Sequence, residues 1–406
     1  MLLVRPVARL ERSDLSHAAA RLGLPGARAE AHGGMVLLVS GMEASVASWL
    51  CSGPPAGCRL DLGEATSRPG TALVSGPLPA LAAFAARAET AGQGALAAAL
   101  GRALEADRPP SPLHLGRARW VLGERTRVMG VVNVTPDSFS DGGRFLQEDA
   151  AVAHGESLAA DGADILDVGG ESTRPGAARV PVEEELRRVV PVIRRLASAG
   201  ALVSVDTSRH EVARAALEAG AVLVNDVSGF RWDPLLAPVV AEANAACCLM
   251  HVQGTPDTMQ RSPRYGDVVE EVMAGLAGSL ALAEAAGIPR GRVLLDPGIG
   301  FGKTAGHNLA LLRRAGELRS LGCGLLVGTS RKAFLGTLCG DKPAGERLWA
   351  TVGSVAALAA RGGADVVRVH DVAEVRDALA VADAIRDAGC GGDLYARTVA
   401  GPAGAP

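Results

Sequence analysis

Polar side chains recur in this sequence at the points where short apolar runs end. Asp206, Asp296 and Asn225 offer carboxylate and amide acceptors to the N–H groups at the edge of a flat heterocycle. A buried carboxylate needs such a donor array to offset its desolvation, and an amide can accept and donate at once. Lys332 and Arg368 add positive charge, and a guanidinium can stack on a ring or hold a diphosphate through bidentate hydrogen bonds. The full series is Asn133, Asp167, Asp206, Asn225, His251, Asp296, the turn Ser330-Arg331-Lys332, Arg368 and His370.

The elements that would position these residues alternate along the chain. Eight apolar runs are each followed by a helical pattern, which is typical of an α/β fold of the (β/α)8 TIM-barrel type. A doubly wound open sheet would show a Gly-rich dinucleotide fingerprint after its first strand, and GVVNVTPDSF is not one. The predicted strands are Arg127–Val132, Ile165–Val168, Leu202–Val205, Val222–Val227, Cys247–His251, Val293–Leu295, Leu325–Gly328 and Val366–Val369. The predicted helices lie near 148–161, 183–199, 209–219, 233–244, 266–286, 307–320, 344–361 and 372–388.

The arrangement of the polar series decides between a structural and a functional interpretation. Asp, Asn and Ser routinely cap helices and turns, so for one residue alone the structural interpretation is equally good. In a TIM barrel, however, the chemistry sits where strands end and the following loops begin. Convergence of the whole series around one mouth therefore favours a binding or catalytic site.

A Pro-rich stretch divides the 406 residues, because Asp107–Pro112 reads DRPPSP and cannot continue a helix. We predict an N-terminal module over 1–108, a linker at 109–112, the barrel over 113–390 and a flexible tail over 391–406.

The N-terminal module is expected to be a small α/β domain. Met35–Ser40 is typical of a strand, and Leu78–Ala91 and Gly94–Ala106 are typical of helices. The module has few clustered polar residues and no catalytic constellation, which favours a structural or assembly role. Leu113–Glu124, just after the linker, is expected to form a hairpin that closes the bottom of the barrel.

Composition excludes several classes of partner. The formal net charge of -3 leaves no electrostatic footprint for nucleic acid or for an anionic membrane surface. No apolar segment has membrane-spanning length, and the first residues make a poor signal peptide. The chain has seven cysteines, an odd number, and their spacings match no zinc or haem pattern. We expect reduced thiols and a cytoplasmic protein.

Eight motifs occur in a fixed order and together resemble the dihydropteroate synthase family over about residues 113–390. The motifs are NVTPDSFSDGG, DVGGESTRPG, SVDTS, NDVSG, LMHVQGTP, LLDPGIGFGK, GTSRK and RVHD. The resemblance implies a cytoplasmic homodimer of the class targeted by sulfonamides, with two small-molecule substrates, a dihydropterin diphosphate and p-aminobenzoate. It also implies Mg²⁺ as the cofactor.

The same resemblance implies a role for each motif residue. The pterin ring would be held by Asp206, Asn225, Met250, Asp296, Phe301, Gly328, Lys332 and Arg368. The diphosphate would be held by Asn133, Thr173, Arg174, Arg368 and His370, with Asn133 also ligating Mg²⁺. The p-aminobenzoate site would comprise Phe139, Ser140, Pro175, Phe301 and Ala333. The catalytic set would be Asp206, Asp296, Lys332, Arg368 and Asp167.

The implied reaction is loss of pyrophosphate from the pterin methylene, followed by attack of the arylamine of p-aminobenzoate on a resonance-stabilised cation. Two alternatives stay open, a pterin-dependent methyltransferase domain and a non-catalytic pterin-binding protein. The first should lack the NVTPDSFSDGG and GESTRPG loops, and the second should have lost its diphosphate residues, yet both sets are present. Three further residues are interpreted structurally: Glu171 as ordering its loop, His251 as a core histidine and His307 as a cap or surface residue.

Ala333 departs from the family pattern, which often has Ser after this lysine. The helix that follows Lys332 would offer its N-terminal N–H groups to the p-aminobenzoate carboxylate. We expect the site to survive with weaker carboxylate binding.

Overall fold

The computed structural model describes residues 2–9, 34–53, 57–62, 70–106, 110–134, 144–171, 180–255 and 258–388. They fall into two compact units, Met1–Pro110 with Gly316–Cys323, and Ser111–Ala315 with Gly324–Pro406. No sequence signal anticipated that Gly316–Cys323 groups with the first unit. Among the described helices, none combines the length and the apolar content that crossing a membrane requires.

The first unit contains a four-stranded antiparallel sheet and helices. The strands are β1 (Leu3–Arg9), β2 (Gly34–Ser40), β3 (Arg59–Leu62) and β4 (Ala72–Pro77), in the order β1-β2-β4-β3. The helices are α1 (Ala44–Cys51), α2 (Leu78–Thr90) and α3 (Gly94–Leu104). Met35, Leu37 and Val39 share one face of β2, because side chains alternate along a strand, and they join Phe84 and Leu100 in one buried cluster. The predicted small α/β domain is confirmed.

The second unit is a closed barrel of eight parallel strands. The strands are β7 (Arg127–Asn133), β8 (Ile165–Gly169), β9 (Val203–Asp206), β10 (Leu223–Asp226), β11 (Ala246–Met250), β12 (Val293–Asp296), β13 (Gly324–Val327) and β14 (Val366–Val369). The last strand pairs with the first, Val367 opposite Val128, and this closure excludes an open doubly wound sheet. The predicted TIM barrel is confirmed.

Helices follow the strands along the chain. They are α4 (Arg144–Ala160), α5 (Val182–Ser198), α6 (His210–Glu218), α7 (Leu236–Glu242), α8 (Val268–Ala285), α9 (Ala305–Arg313), α10 (Ala333–Leu338), α11 (Leu348–Ala360) and α12 (Val372–Asp387). One prediction was wrong in detail: the helix expected over 307–320 ends at Arg313, and a 3₁₀ helix occupies Ala315–Leu321. Gly316 lies at this change, where its conformational freedom weakens a continuous α-helix.

A hairpin closes the amino-terminal end of the barrel, as predicted. Its strands are β5 (Leu113–Leu115) and β6 (Ala118–Trp120), which pair antiparallel. Three of its apolar side chains, together with Leu122 just after β6, join one cluster with residues of seven barrel strands. The cluster comprises Leu113, Leu115, Trp120, Leu122, Met129, Ile165, Leu223, Ala246, Cys248, Leu294, Leu326 and Val366. Because this end is filled with side chains, the functional mouth lies at the carboxyl ends of the strands.

Candidate active site

One buried carboxylate organises a hydrogen-bond network at the mouth. Asp167, inside β8, is inaccessible to solvent, and its Oδ2 accepts hydrogen bonds from Arg368 Nε at 2.6 Å and from Asn225 Nδ2 at 2.9 Å. Arg368 also donates through Nη2 to Asp206 Oδ2 at 2.8 Å. Parallel strands deliver their carboxyl ends to the same rim, so residues far apart in sequence meet here. The structure therefore brings four of the predicted site residues into direct contact.

The charges of this network are shifted by burial. Burial raises the pKa of Asp206 to about 7, with Arg368 opposing the shift and Asp167 adding to it. Burial favours the neutral form of Arg368, but Asp167 and Asp206 outweigh it and raise the pKa of this guanidinium. The site thus holds a permanent cation beside a carboxyl group that titrates near neutrality.

A second charged pair faces the same space. Asp296, the last residue of β12, accepts a hydrogen bond from the backbone N–H of Gly298 at 2.7 Å, and burial raises its pKa. Lys332 Nζ donates to the carbonyl of Ile299 at 2.6 Å and lies 4.1 Å from the centre of the Phe301 ring. Burial lowers the pKa of Lys332 to about 8, and Asp296 partly opposes the shift.

An apolar wall adjoins these charges. Met250 is buried in a cluster with Val227, Val252 and Met259, against which Phe301 packs. The preceding turn demands glycine: Gly298 has φ +67°, and a Cβ there would lie 2.0 Å from the carbonyl oxygen of His251. This close approach brings the loop after β12 against the loop after β11, and so places Phe301 beside Met250.

Four further predicted residues lie at or just after the carboxyl ends of barrel strands. Asn133 ends β7 and is half-buried, directly beside Gly169 of β8. The Nδ1 atom of His370 lies 2.9 Å from Ser330 Oγ. Gly328 follows β13, where an added Cβ would meet Arg368, and Ala333 begins α10. Phe139, Ser140, Thr173, Arg174 and Pro175 lie outside the described residues.

Three structural interpretations from the sequence can be compared with observed contacts. His251 is buried with its Nδ1 3.1 Å from Lys303 Nζ, which confirms a satisfied core histidine. His307 forms a capping box with Thr304 at the start of α9, which confirms the cap. Glu171 pairs with Arg209 at 3.0 Å, a contact that supports its structural role.

The sequence did not predict two sets of buried or partly buried charged side chains near the mouth. Lys303 is the last residue of the motif LLDPGIGFGK and is almost fully buried, although the family resemblance implies no role for it. Arg209, which follows SVDTS closely, pairs with Glu171 and Glu185, while Thr207 donates to Glu185 at 2.7 Å. Lys303 lies within a family motif and Arg209 directly follows one, and this position is their only sequence signal.

Comparisons with known proteins agree with this geometry. The pterin binding enzyme family matches residues 129–370, more than half of the chain. The dihydropteroate synthase of Mycobacterium leprae is 51% identical over 269 residues, covering 65% of this chain and 94% of that protein. This chain belongs to the dihydropteroate synthase family. The family match begins within β7 and ends just after β14, so it spans the closed barrel.

Solved structures of the family superpose on the chain. Dihydropteroate synthase of Xanthomonas albilineans with 4-aminobenzoic acid is 45% identical to this chain, with a TM-score of 0.63. The match covers 72% of this chain and 100% of that chain. The Burkholderia cenocepacia enzyme complexed with 7,8-dihydropteroate has 42% identity and a TM-score of 0.62, covering 70% of this chain and 99% of that chain.

Proposed function

We propose that this chain condenses 6-hydroxymethyl-7,8-dihydropterin diphosphate with p-aminobenzoate, giving dihydropteroate and pyrophosphate for folate biosynthesis. One observation carries the proposal: Asp167, Asn225, Arg368 and Asp206 form a single hydrogen-bonded network at the barrel mouth. The family membership supports it, because relatives at 51% and 45% identity bear the name dihydropteroate synthase.

The pterin ring would bind between the charged network and the apolar wall. Asp206 and Asp296 offer carboxylate acceptors to the adjacent N–H groups of the 2-amino-4-oxo edge, and Asn225 offers an amide oxygen. Met250 and Phe301 supply an apolar surface for the ring face. Lys332, which lies over Phe301, and Arg368, which is fixed by two carboxylates, would complete the pocket.

The reaction would proceed by dissociative substitution at the exocyclic methylene. The bond between this carbon and the diphosphate oxygen breaks, and its electron pair leaves with pyrophosphate. The amine nitrogen of p-aminobenzoate then donates its lone pair to the carbon and loses a proton. Asp206 and Asp296 would stabilise the cationic pterin, since preorganised charges act strongly in a water-poor site. No covalent nucleophile is required.

The leaving diphosphate would be bound by cationic groups and Mg²⁺. Asn133 provides a hard amide oxygen at the rim, which suits an ion that takes one or two protein ligands and completes its shell with water and phosphate. Bound Mg²⁺ would neutralise the negative charge that develops on the diphosphate. Arg368 and His370 lie on the same rim, and Thr173 and Arg174 stay predictions.

The p-aminobenzoate would lie against Phe301, with its carboxylate near the N-terminus of α10. Ala333 is the first residue of this helix and offers a backbone N–H but no hydroxyl. Phe139, Ser140 and Pro175 stay predictions for this subsite. The homodimer and the cytoplasmic location also stay predictions.

The direct test is product formation. Purified protein, the dihydropterin diphosphate, p-aminobenzoate and Mg²⁺ should yield dihydropteroate, identified by chromatography and mass, and a sulfonamide should compete with p-aminobenzoate. Asp206→Asn is the matched control and should reduce turnover strongly. A folded protein that binds the diphosphate but yields no dihydropteroate would contradict the proposal in favour of a non-catalytic pterin-binding protein.

A further inference from the structure

A buried ammonium group joins two loops behind the apolar wall. Lys303 is only 3% exposed, and its Nζ lies 2.9 Å from the carbonyl oxygen of Phe301. The same Nζ lies 3.2 Å from the carbonyl oxygen of His251 and 3.1 Å from the Nδ1 of its ring. Since an ammonium group has three N–H donors and no acceptor, these contacts satisfy it completely.

Two of these acceptors belong to backbone segments that line the proposed site. His251 directly follows Met250 at the end of β11, and Phe301 lies in the loop after β12. Lys303 therefore holds the backbone on both sides of the wall in which Met250 and Phe301 pack. Gly302 reinforces this approach, because a Cβ there would lie 2.7 Å from the carbonyl oxygen of Gln253.

The surroundings of Lys303 disfavour its charged form. Burial lowers the pKa of Lys303 to about 7, Asp296 opposes the shift, and Lys332 and Arg231 add to it. Burial, with Lys303 and Arg231, lowers the pKa of His251 to about 3, so the ring stays neutral and can accept through Nδ1. A surface lysine would avoid this desolvation, which indicates that the ties to the two loops offset a real cost.

We propose that Lys303 is a positioning residue: by tying the carbonyl groups of His251 and Phe301 together, it fixes the Phe301 ring where the pterin and p-aminobenzoate rings bind. This inference rests on the proposed function, which assigns Phe301 to both subsites. Lys303 lies behind the wall and acts through Phe301.

The test is a double-mutant cycle between Lys303→Met and Phe301→Ala. Lys303→Met keeps the chain length but removes the donors, and kcat/KM should fall about tenfold to a hundredfold, mainly through higher KM values, as expected when a site group is displaced. In the Phe301→Ala background the same substitution should change kcat/KM less than about twofold, because residues that act through one another are not additive. The proposal would be overturned if Lys303→Met has wild-type KM values. It would also be overturned if Lys303→Met lowers kcat/KM as much in the Phe301→Ala background as in the wild type.

Tyr265→Phe is the matched control. The Tyr265 hydroxyl donates to the carbonyl oxygen of Gly302 at 2.9 Å, so this variant loses a tie to the same loop without touching Phe301. Its KM values should stay within about twofold of wild type. If Tyr265→Phe raises KM as much as Lys303→Met, general loosening of the loop explains the effect and the proposal fails.

Two further measurements keep the outcomes separate. If Lys303→Met does not fold, Lys303→Gln, whose shorter side chain retains two N–H donors, replaces it in the double-mutant cycle. A rise in KM that disappears in the Phe301→Ala background supports the proposal, and a rise of the same size in that background overturns it. If the wild-type protein makes no dihydropteroate, the proposed function fails. Calorimetric affinity for the dihydropterin diphosphate then tests Lys303: weaker binding by Lys303→Met supports it, and equal binding refutes it.

Discussion

Asp167 accepts hydrogen bonds from two side chains through a single oxygen, so it is the residue of the site that tolerates replacement least. Its Oδ2 accepts from Asn225 and Arg368 at 2.9 and 2.6 Å while the side chain is wholly buried. An amide oxygen could replace the carboxylate sterically but not electrostatically. The position of Arg368, and through it that of Asp206, therefore depends on the negative charge at Asp167.

Asp167→Asn should damage both stability and turnover. Removing one partner of a buried pair costs about 3 kcal/mol, because the remaining charge loses its compensation. Denaturant unfolding should show this loss, and kcat/KM should fall roughly a hundredfold as Arg368 moves. The exposed Asp161→Asn is the control and should leave both quantities unchanged. A folded Asp167→Asn enzyme with normal kcat/KM would show that the network does not position the site.

Asp206 should make stability depend on pH. Its folded pKa of about 7 exceeds its unfolded value near 3.9, so the native state binds more protons between these values. Its contribution is therefore fully present below about pH 4 and is lost as pH rises through about 7. The free energy of unfolding of wild type minus that of Asp206→Asn should fall over this range, as measured by urea unfolding from pH 5 to 8. A constant or rising difference would refute the assigned shift.

Ala333→Ser tests the p-aminobenzoate subsite. A hydroxyl at the start of α10 should add one hydrogen bond to the carboxylate, worth about 0.5–1.5 kcal/mol. The KM for p-aminobenzoate should therefore fall roughly twofold to tenfold. The KM for the dihydropterin diphosphate serves as the internal control and should not change. An unchanged KM for p-aminobenzoate would place its carboxylate elsewhere.

At the scale of elements, stability and chemistry occupy opposite ends of the barrel. The hairpin of β5 and β6 fills the amino-terminal end with Leu113, Leu115 and Trp120. The polar network lies at the carboxyl ends of the strands. Substitutions in the hairpin should therefore change stability without changing substrate affinity.

Leu115→Ala tests this separation. Leu115 is 0% exposed, and a Leu→Ala change at such a core position costs about 2–5 kcal/mol. Thermal or urea unfolding should show the loss, while both KM values of the folded enzyme stay at wild-type levels. Val121→Ala, at a position 37% exposed, is the matched control and should cost less than about 1 kcal/mol. A changed KM in Leu115→Ala would contradict the separation.

The strands and much of the site could be predicted because both leave local signals. Short apolar runs such as Ile165–Val168 end in polar residues, and parallel pairing then forces those residues onto one rim. Gly316 was a weaker signal, and the helix break beside it was missed. The position of Lys303 in the motif LLDPGIGFGK is its only sequence signal, and it does not indicate which groups the lysine binds. Its acceptors are backbone carbonyls, one of them 52 residues away, and sequence does not specify which carbonyl a buried ammonium will meet.

At the scale of the whole molecule, the two units differ in the evidence that bears on their function. The family match covers residues 129–370. All of these residues belong to the second unit except Gly316–Cys323, which belongs to the first. The first unit has its own buried cluster around Leu37, Phe84 and Leu100. Its structural or assembly role stays a prediction.

The central claim is that the barrel mouth couples departure of the diphosphate to attack by p-aminobenzoate. The most direct measurement is pyrophosphate release from 6-hydroxymethyl-7,8-dihydropterin diphosphate with Mg²⁺, with and without p-aminobenzoate. We predict release that depends on p-aminobenzoate and matches dihydropteroate formation mole for mole. Tight binding of the diphosphate by folded protein, with no pyrophosphate released when p-aminobenzoate is added, would contradict the account.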